Sequence, residues 1–278
     1  MTLRDRDDIV GAKRIVVKVG SSSISGENAA QIGPLVDALA AVHGRGTEII
    51  LVSSGAIATA IPFLALDGRP DDLATQQAAA AVGQNVLMWR YQTSLDRFGI
   101  IAGQVLLTAG DLENATPRSN AQRAMDRLLA LRVLPIVNEN DTVATHEIRF
   151  GDNDRLAALV AELIGADLLV LLSDVDALYT KPPHLDGAER IAHVPFGDEL
   201  AGVEIGSAGR AGVGTGGAET KVSAARIAAT AGAAVLITAT PLVAEALSGA
   251  HIGTWFDAAP SAPDAPERHT ADGVAPLA

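Results

Sequence analysis

Arg14-Ile15-Val16-Val17-Lys18-Val19-Gly20-Ser21-Ser22-Ser23 is a β-branched run that stops in one glycine and three serines. Such a run predicts a buried strand, and the small polar residues after it predict a turn at the strand's carboxyl end. The same device recurs. Residues 47–52 run into Ser53-Ser54-Gly55-Ala56, residues 134–137 open onto Asn138-Glu139-Asn140-Asp141, and residues 168–172 end in Ser173-Asp174. Between these runs the apolar spacing turns helical: at 28–43 (Ile32, Leu35, Val36, Leu39, Val42), 75–97, 118–131, 153–164 and 219–231. Further strands are expected at 100–107, 234–237 and 253–256, with a helix before the last, a short extended excursion at 146–150 and a glycine-rich loop at 206–217. Strand and helix alternate almost throughout. That pattern predicts an α/β fold, a mainly parallel central sheet with helices on both faces. Ligands of such folds sit outside the carboxyl ends of the strands, where the polar clusters of this chain fall.

Composition narrows the class. The 278 residues are 48% hydrophobic and 19% charged, which suits a large packed core and excludes global disorder, collagen and coiled coil. A formal net charge of −12 argues against nucleic acid or an anionic membrane as main partner. With no cysteine there is no disulfide, thiolate zinc site or cysteine nucleophile, in keeping with a cytoplasmic location. The uncharged stretches 49–66 and 227–244 are broken by Ser53-Ser54-Gly55 and Pro62, and by Gly232 and Pro241, so they read as strands beside helices and not as membrane spans. Only Lys13, Lys18, Lys181 and Lys221 are lysines, so a lysine in an apolar or glycine-rich setting is informative. One domain over residues 1–256 is expected, followed by an Ala/Pro/Asp-rich disordered tail at 257–278.

Four loops carry candidate chemistry. Lys18 near the end of a buried strand needs an anion, because an unpaired buried charge is costly; its rival reading is a side chain that snorkels past the strand end. With Gly20 and Ser21 it could hold phosphate through backbone N–H groups. Ser53-Ser54-Gly55-Ala56 offers donors of the same kind, or is an ordinary helix cap. The Asn138–Thr142 cluster and Gly151-Asp152-Asn153-Asp154-Arg155 suit capture of an amino acid or the organisation of lysines and a metal; EF-hand spacing is absent. Gly212-Val213-Gly214-Thr215-Gly216-Gly217-Ala218-Glu219-Thr220-Lys221 is neither a Walker A loop nor a dinucleotide fingerprint, yet it leads glycines and a lysine into a helix N-terminus. The six histidines have no metal-binding spacing, and no metal-ligating residue is assigned.

Taken in order, Val17-Lys18-Val19-Gly20-Ser21, the Ser53–Ala58 loop, Asn138-Glu139-Asn140-Asp141-Thr142-Val143-Ala144, Gly151-Asp152-Asn153-Asp154, Ser173-Asp174 and the 214–221 loop resemble the amino acid kinase family, and within it the branch that phosphorylates glutamate. The likeness runs from about residue 12 to 256. It implies a three-layer αβα sandwich and transfer of the ATP γ-phosphoryl group, with Mg²⁺, to the side-chain carboxylate of L-glutamate. The product would be γ-glutamyl phosphate, at the first step of proline biosynthesis. By this resemblance Lys18 and Lys221 neutralise the transferred phosphoryl group and Asp154 holds both lysines. Gly20, Ser21 and Gly55 donate backbone N–H groups. Ser54, Gly55, Asp141 and Asn153 bind glutamate, and Ser173, Asp174, Thr215, Gly216, Gly217, Ala218, Glu219, Thr220 and Lys221 bind nucleotide together with Lys18, Gly20 and Ser21. It further implies proline feedback inhibition and a homo-oligomer. Acetylglutamate, aspartate, carbamate or UMP kinases of the same family, and a non-catalytic sensor, are the alternatives. The chain departs from the family in Thr59-Ala60, in Ala218-Glu219, and in having no expected C-terminal PUA domain of on the order of a hundred residues.

Overall fold

The computed structural model describes residues 2–144, 153–201, 203 and 217–260. The expected excursion at 146–150 and nearly all of the 206–217 loop, with Thr215 and Gly216, lie outside the described residues, as do Gly151, Asp152 and positions 261–278.

Strands β1 (Arg14–Val19), β2 (Glu48–Val52), β3 (Ala102–Leu107), β4 (Leu134–Glu139) and β5 (Leu168–Ser173) are followed by the two-residue pieces β6 (Leu178–Tyr179), β7 (Arg190–Ile191) and β8 (His193–Val194), then β9 (Ala234–Ala239) and β10 (Thr254–Phe256). Eight of them form one sheet in the order β3-β4-β2-β1-β5-β9-β10-β8. The six from β3 to β9 are mutually parallel, and β10 runs antiparallel to β9. Helices α1 (Ile32–Gly44), α2 (Ala56–Ala60), α3 (Leu73–Leu95), α4 (Ala109–Glu113), α5 (Ala115–Ala130), α6 (Asn153–Ile164), α7 (Ala218–Thr230) and α8 (Val243–Leu247) complete the sandwich. Because both sheet faces are covered, the central strands are apolar throughout and do not alternate with polar residues. Ile15, Val17 and Val19 pack with Leu35, Leu39, Tyr91 and Trp255 on one side. Val16 packs with Leu156, Ala157 and Ala225 on the other.

Element boundaries moved where side-chain pattern alone misleads. The helix expected from 28 starts at Ile32, behind a 3-10 stretch at Gly26–Gln31. Pro34 explains it: its ring excludes the carbonyl four residues back, so the α-helix cannot extend further toward the N-terminus. The strand expected at 134–137 continues to Glu139, since Asn138 and Glu139 stay in register with Leu106 and Leu107 of β3. The final residues expected to be tail are partly in the fold: the Asp257 N–H donates to the Val194 carbonyl and the Ala259 N–H to that of Ala229. The N-terminal segment, featureless in sequence, is held by Leu3 and Ile9 in the core and by buried Arg6, whose guanidinium donates to the Ile252 and Ala192 carbonyls at 2.9 and 2.6 Å.

The switch in strand order places β2 on one side of β1 and β5 on the other, so a crevice opens at their carboxyl ends. Helix α2 starts at the rim of that crevice and lies against α3 at very close range. A Cβ built on Gly83 of α3 would sit 1.7 Å from the Ala56 carbonyl oxygen. Gly83→Ala therefore pushes the two helices apart, and the expected loss is about 1–3 kcal/mol. Thermal melting would show it as a fall of about 2–4 °C per kcal/mol; an unchanged Tm would mean that the helices do not meet this closely.

Candidate active site

Strand period two sends Lys18 to the same side of β1 as Val16, toward α6 and α7. Both helices begin at the carboxyl end of the sheet, as crossover helices on parallel strands do. Asp154 lies in the first turn of α6, and Lys221 at the start of α7. The three meet: Lys18 Nζ pairs with Asp154 Oδ1, and Lys221 Nζ lies 3.1 Å from Asp154 Oδ2. Asp154 is 0% exposed, Lys18 4% and Lys221 7%. The Thr220 hydroxyl donates to the Gly217 carbonyl at 2.9 Å and lies 3.3 Å from the same carboxylate. Burial by itself would raise the Asp154 carboxyl, but the adjoining ammonium charges of Lys18 and Lys221 outweigh it and hold the group below the ordinary carboxylate value. Two cations on one anion leave net positive charge in a site of low dielectric, at the N-termini of two helices: a place that attracts phosphate.

Gly20 lies close enough to Lys18 that a Cβ there would be 3.8 Å from its Nζ. The turn Ser21–Ser23 follows, and Gly55 packs on it: at φ +90°, a Cβ on Gly55 would be 3.3 Å from Ser21 Cα. Gly55 thus has two reasons to be glycine, its left-handed backbone and the approach to Ser21. Ser54, one residue earlier, places its hydroxyl 2.9 Å from Asn153 Nδ2, which also lies 2.8 Å from the Ser53 carbonyl and 2.9 Å from Asn138 Oδ1. Asp141 is half-buried in the turn after β4, on the same edge. At the end of β5 the Ser173 hydroxyl donates to Asp174 at 3.0 Å. Gly217 caps α7, with Ala218 half-buried and Glu219 exposed in its first turn.

Of the described candidates, Lys18, Asp154, Thr220 and Lys221 meet in a cationic group and Ser54 and Asn153 in an adjoining amide–hydroxyl group, whereas Asp141, Ser173 and Asp174 lie at the same end of the sheet without joining either. Thr240, Gln84 and Tyr91 were not selected from sequence, and Asn138 and Ser53, singled out only within their loops, were given no role of their own. Thr240, after β9, donates to Ser23 Oγ at 2.9 Å and lies 3.2 Å from the Ser173 carbonyl, tying the loops after β1, β5 and β9 together. Asn138 and Gln84 extend the amide group, with Asn138 Nδ2 donating to Gln84 Oε1 at 2.8 Å. Ser53 Oγ lies 2.9 Å from the Tyr91 hydroxyl, whose phenol burial pushes well above its usual range. A signal for Gln84 was present: it shares a helical stripe with the buried Ala80, Gly83, Leu87 and Tyr91.

Comparison with known proteins gives the family. The model of the amino acid kinase family matches residues 13–239. The chain belongs to the amino acid kinase family. A protein of Leifsonia xyli subsp. xyli named glutamate 5-kinase is 74% identical over 276 residues, covering 99% of either chain. A glutamate 5-kinase of Streptomyces coelicolor is 56% identical over 257 residues, which span 91% of this chain and 69% of that one. Among solved structures, carbamate kinase from Giardia lamblia bound to AMP-PNP superposes with a TM-score of 0.63 at 16% identity, covering 90% of this chain and all of that one, and shares the fold. Among the described residues no helix is long and apolar enough to cross a membrane.

A folded-state carboxyl held below its unfolded value stabilises the protein above the ordinary carboxylate range and ceases to do so as pH falls through the depressed value. Asp154→Asn leaves two buried ammonium groups without their counter-charge, so it should cost roughly 3–5 kcal/mol at pH 7. Denaturant titrations at a series of pH values should show this gap narrowing as pH falls below about 4, where the unfolded-state carboxyl takes up a proton, and closing only below the depressed folded-state value. A gap that stays constant down to pH 3 would mean that charge at Asp154 is not what stabilises the site.

Proposed function

We propose that this chain catalyses the glutamate 5-kinase reaction, ATP-dependent phosphorylation of the side-chain carboxylate of L-glutamate. One observation carries the reading: Lys18 and Lys221 converge on a fully buried Asp154, beside the Ser54–Asn153 amide–hydroxyl group. The 74% identity to a glutamate 5-kinase supports it over the whole length.

A glutamate side-chain carboxylate is ionised at pH 7, so no base is needed to activate it. One of its oxygens forms a bond to the γ-phosphorus of ATP as the bond from that phosphorus to the β,γ-bridging oxygen breaks. ADP leaves with that electron pair, and the product is the acyl phosphate γ-glutamyl phosphate. The obstacle is repulsion between two anions. Lys18 and Lys221 offset it with positive charge placed before the reaction begins, and Asp154 keeps both ammonium groups at fixed positions. Gly20, Ser21 and Gly55 supply backbone N–H groups to the phosphates. Ser173, Asp174 and the residues from Thr215 to Thr220 are assigned to bind the nucleotide. Ser54, Gly55, Asp141 and Asn153 hold glutamate.

Mg²⁺ enters as the MgATP complex. In this reading the metal is carried on the substrate phosphates. Proline feedback inhibition, a homo-oligomer and a cytoplasmic location belong to the same reading.

The test is ADP release from MgATP in the presence of L-glutamate, N-acetylglutamate, L-aspartate, carbamate or UMP, with hydroxylamine to trap acyl phosphate. Hydroxamate with glutamate alone is expected. Turnover with a different acceptor overturns the substrate, and silence with all of them, in a folded protein that binds ATP, favours the sensor. Lys18→Ala and Lys221→Ala should each lower kcat about 10²–10⁴-fold, as the loss of other preorganised electrostatic groups does. A tenfold effect or less at both would remove them from the chemistry.

A further inference from the structure

The polar group around Asn153 does not end at the crevice. It continues inward through Asn138, at the buried end of β4, to Gln84 on the buried stripe of α3. Asn138 and Gln84 are both buried, at 2% and 8% exposure, and Gln84 shares its stripe of α3 with Ala80, Gly83, Leu87 and Tyr91. A polar pair placed there needs a reason, since apolar side chains would fill the space without the desolvation cost.

The polarity of each amide in this chain is set by backbone groups that cannot flip. The Glu139 N–H donates to Asn138 Oδ1 at 2.9 Å, so that oxygen must face Glu139 and Asn153. Asn138 Nδ2 is thereby turned toward α3, where Gln84 Oε1 accepts from it at 2.8 Å. Asn153 Nδ2 is in turn directed at Asn138 Oδ1 and at the Ser53 carbonyl, which is an acceptor only. The atom left facing outward is Asn153 Oδ1, to which no described residue donates. With Gln84 in place, the site therefore presents an acceptor beside Ser54. If Gln84 offered no acceptor, Asn138 could keep its buried Nδ2 unsatisfied, or turn it toward Asn153 and lose the bond from Glu139. The first outcome leaves a buried donor unpaired; the second sets a donor against Asn153 Nδ2 and leaves the Asn153 amide held by Ser53 and Ser54 alone.

We infer that Gln84 is a positioning residue for the acceptor substrate: acting through Asn138, it holds the Asn153 carbonyl oxygen outward, where it accepts a hydrogen bond from the α-ammonium group of the amino acid. This inference rests on the glutamate reading given above. It assigns Gln84 no contact with the reacting atoms. Its effect is on recognition of the ammonium end, remote from the lysines and the nucleotide.

The experiment compares Gln84→Met, of similar length but without an acceptor, with Gln84→Glu, which keeps an acceptor oxygen in the same place. Gln84→Met should raise KM for L-glutamate about tenfold, the size expected when a buried amide loses its partner, with kcat and KM for MgATP within about twofold of wild type. Gln84→Glu should restore KM to within about threefold of wild type. Glutarate, which is glutamate without its ammonium group, serves as the second probe. Its Ki as a competitor of glutamate should be the same in wild type and Gln84→Met. An unchanged glutamate KM in Gln84→Met, a parallel shift of the glutarate Ki, or equal damage from Met and Glu would each overturn the inference. Should Gln84→Met fail to fold, as judged by its melting temperature, Gln84→Asn takes its place, being one methylene too short to reach Asn138. Wild-type turnover across the acceptor panel tests the glutamate reading separately. If the wild type prefers another amino acid, the same Met-against-Glu comparison of that acceptor's KM still decides the role of Gln84.

Discussion

The carboxylate of Asp154, fully withdrawn from water and held between two ammonium groups, is the interaction on which the rest of this structure turns. No one of the three charges could be buried alone, because the desolvation of an isolated ion exceeds what packing returns. Together they are tolerable, and they bind three distant parts of the chain to one point: the end of β1, the first turn of α6 and the first turn of α7. The apolar layers on both sides of the sheet then have only one way to close. Lys18 can reach Asp154 only while β1 keeps its period and Val16 stays on the α6 side.

That arrangement also separates two tasks. The cationic group sits where two helix N-termini converge and matches a transferring phosphoryl group. The amide and hydroxyl group around Asn153 carries no net charge, and it matches the polar ends of an amino acid. On a chain of net charge −12 this is a local reversal of sign, of the kind that favours the approach of anions. Stiffness comes from the close contacts beneath: α2 lies on Gly83 of α3, the Gly55 turn on Ser21, and the Thr240 hydroxyl on Ser23. A site that works by placing charge before reaction needs such support, because a displacement of about 1 Å can cost on the order of a hundredfold in rate.

Much of this was legible before any coordinates. Alternating strand and helix patterns are local consequences of side-chain period, so the α/β class, the order of elements and the 153–164 helix could be read directly. Polar clusters at strand ends marked Lys18 and Ser54 for the same reason, a buried run that stops in small polar residues being a strand leaving the core; Asn153 and Asp154 were marked by the polar run that opens the 153–164 helix. The N-terminal arm was not legible in this way. Arg6 reads as one more surface charge until the carbonyls of Ala192 and Ile252 arrive from the far end of the chain.

By itself, then, the sequence determined which segments are strands and helices and which loops gather small and polar residues, since those depend on neighbours within a few residues. Tertiary structure decided which loops face each other. It took strand order to put Lys18 beside Asp154 and Lys221, across separations of more than sixty residues, and to make Asp154 a paired ion and not a helix cap. It took the packing of α3 on the sheet to turn Gln84 from one polar residue in an alanine-rich helix into the inner end of a chain of amides. The physical reason is common to both: a buried polar group takes its meaning from its partner, and partners brought together by a sheet crossover leave no mark in local spacing.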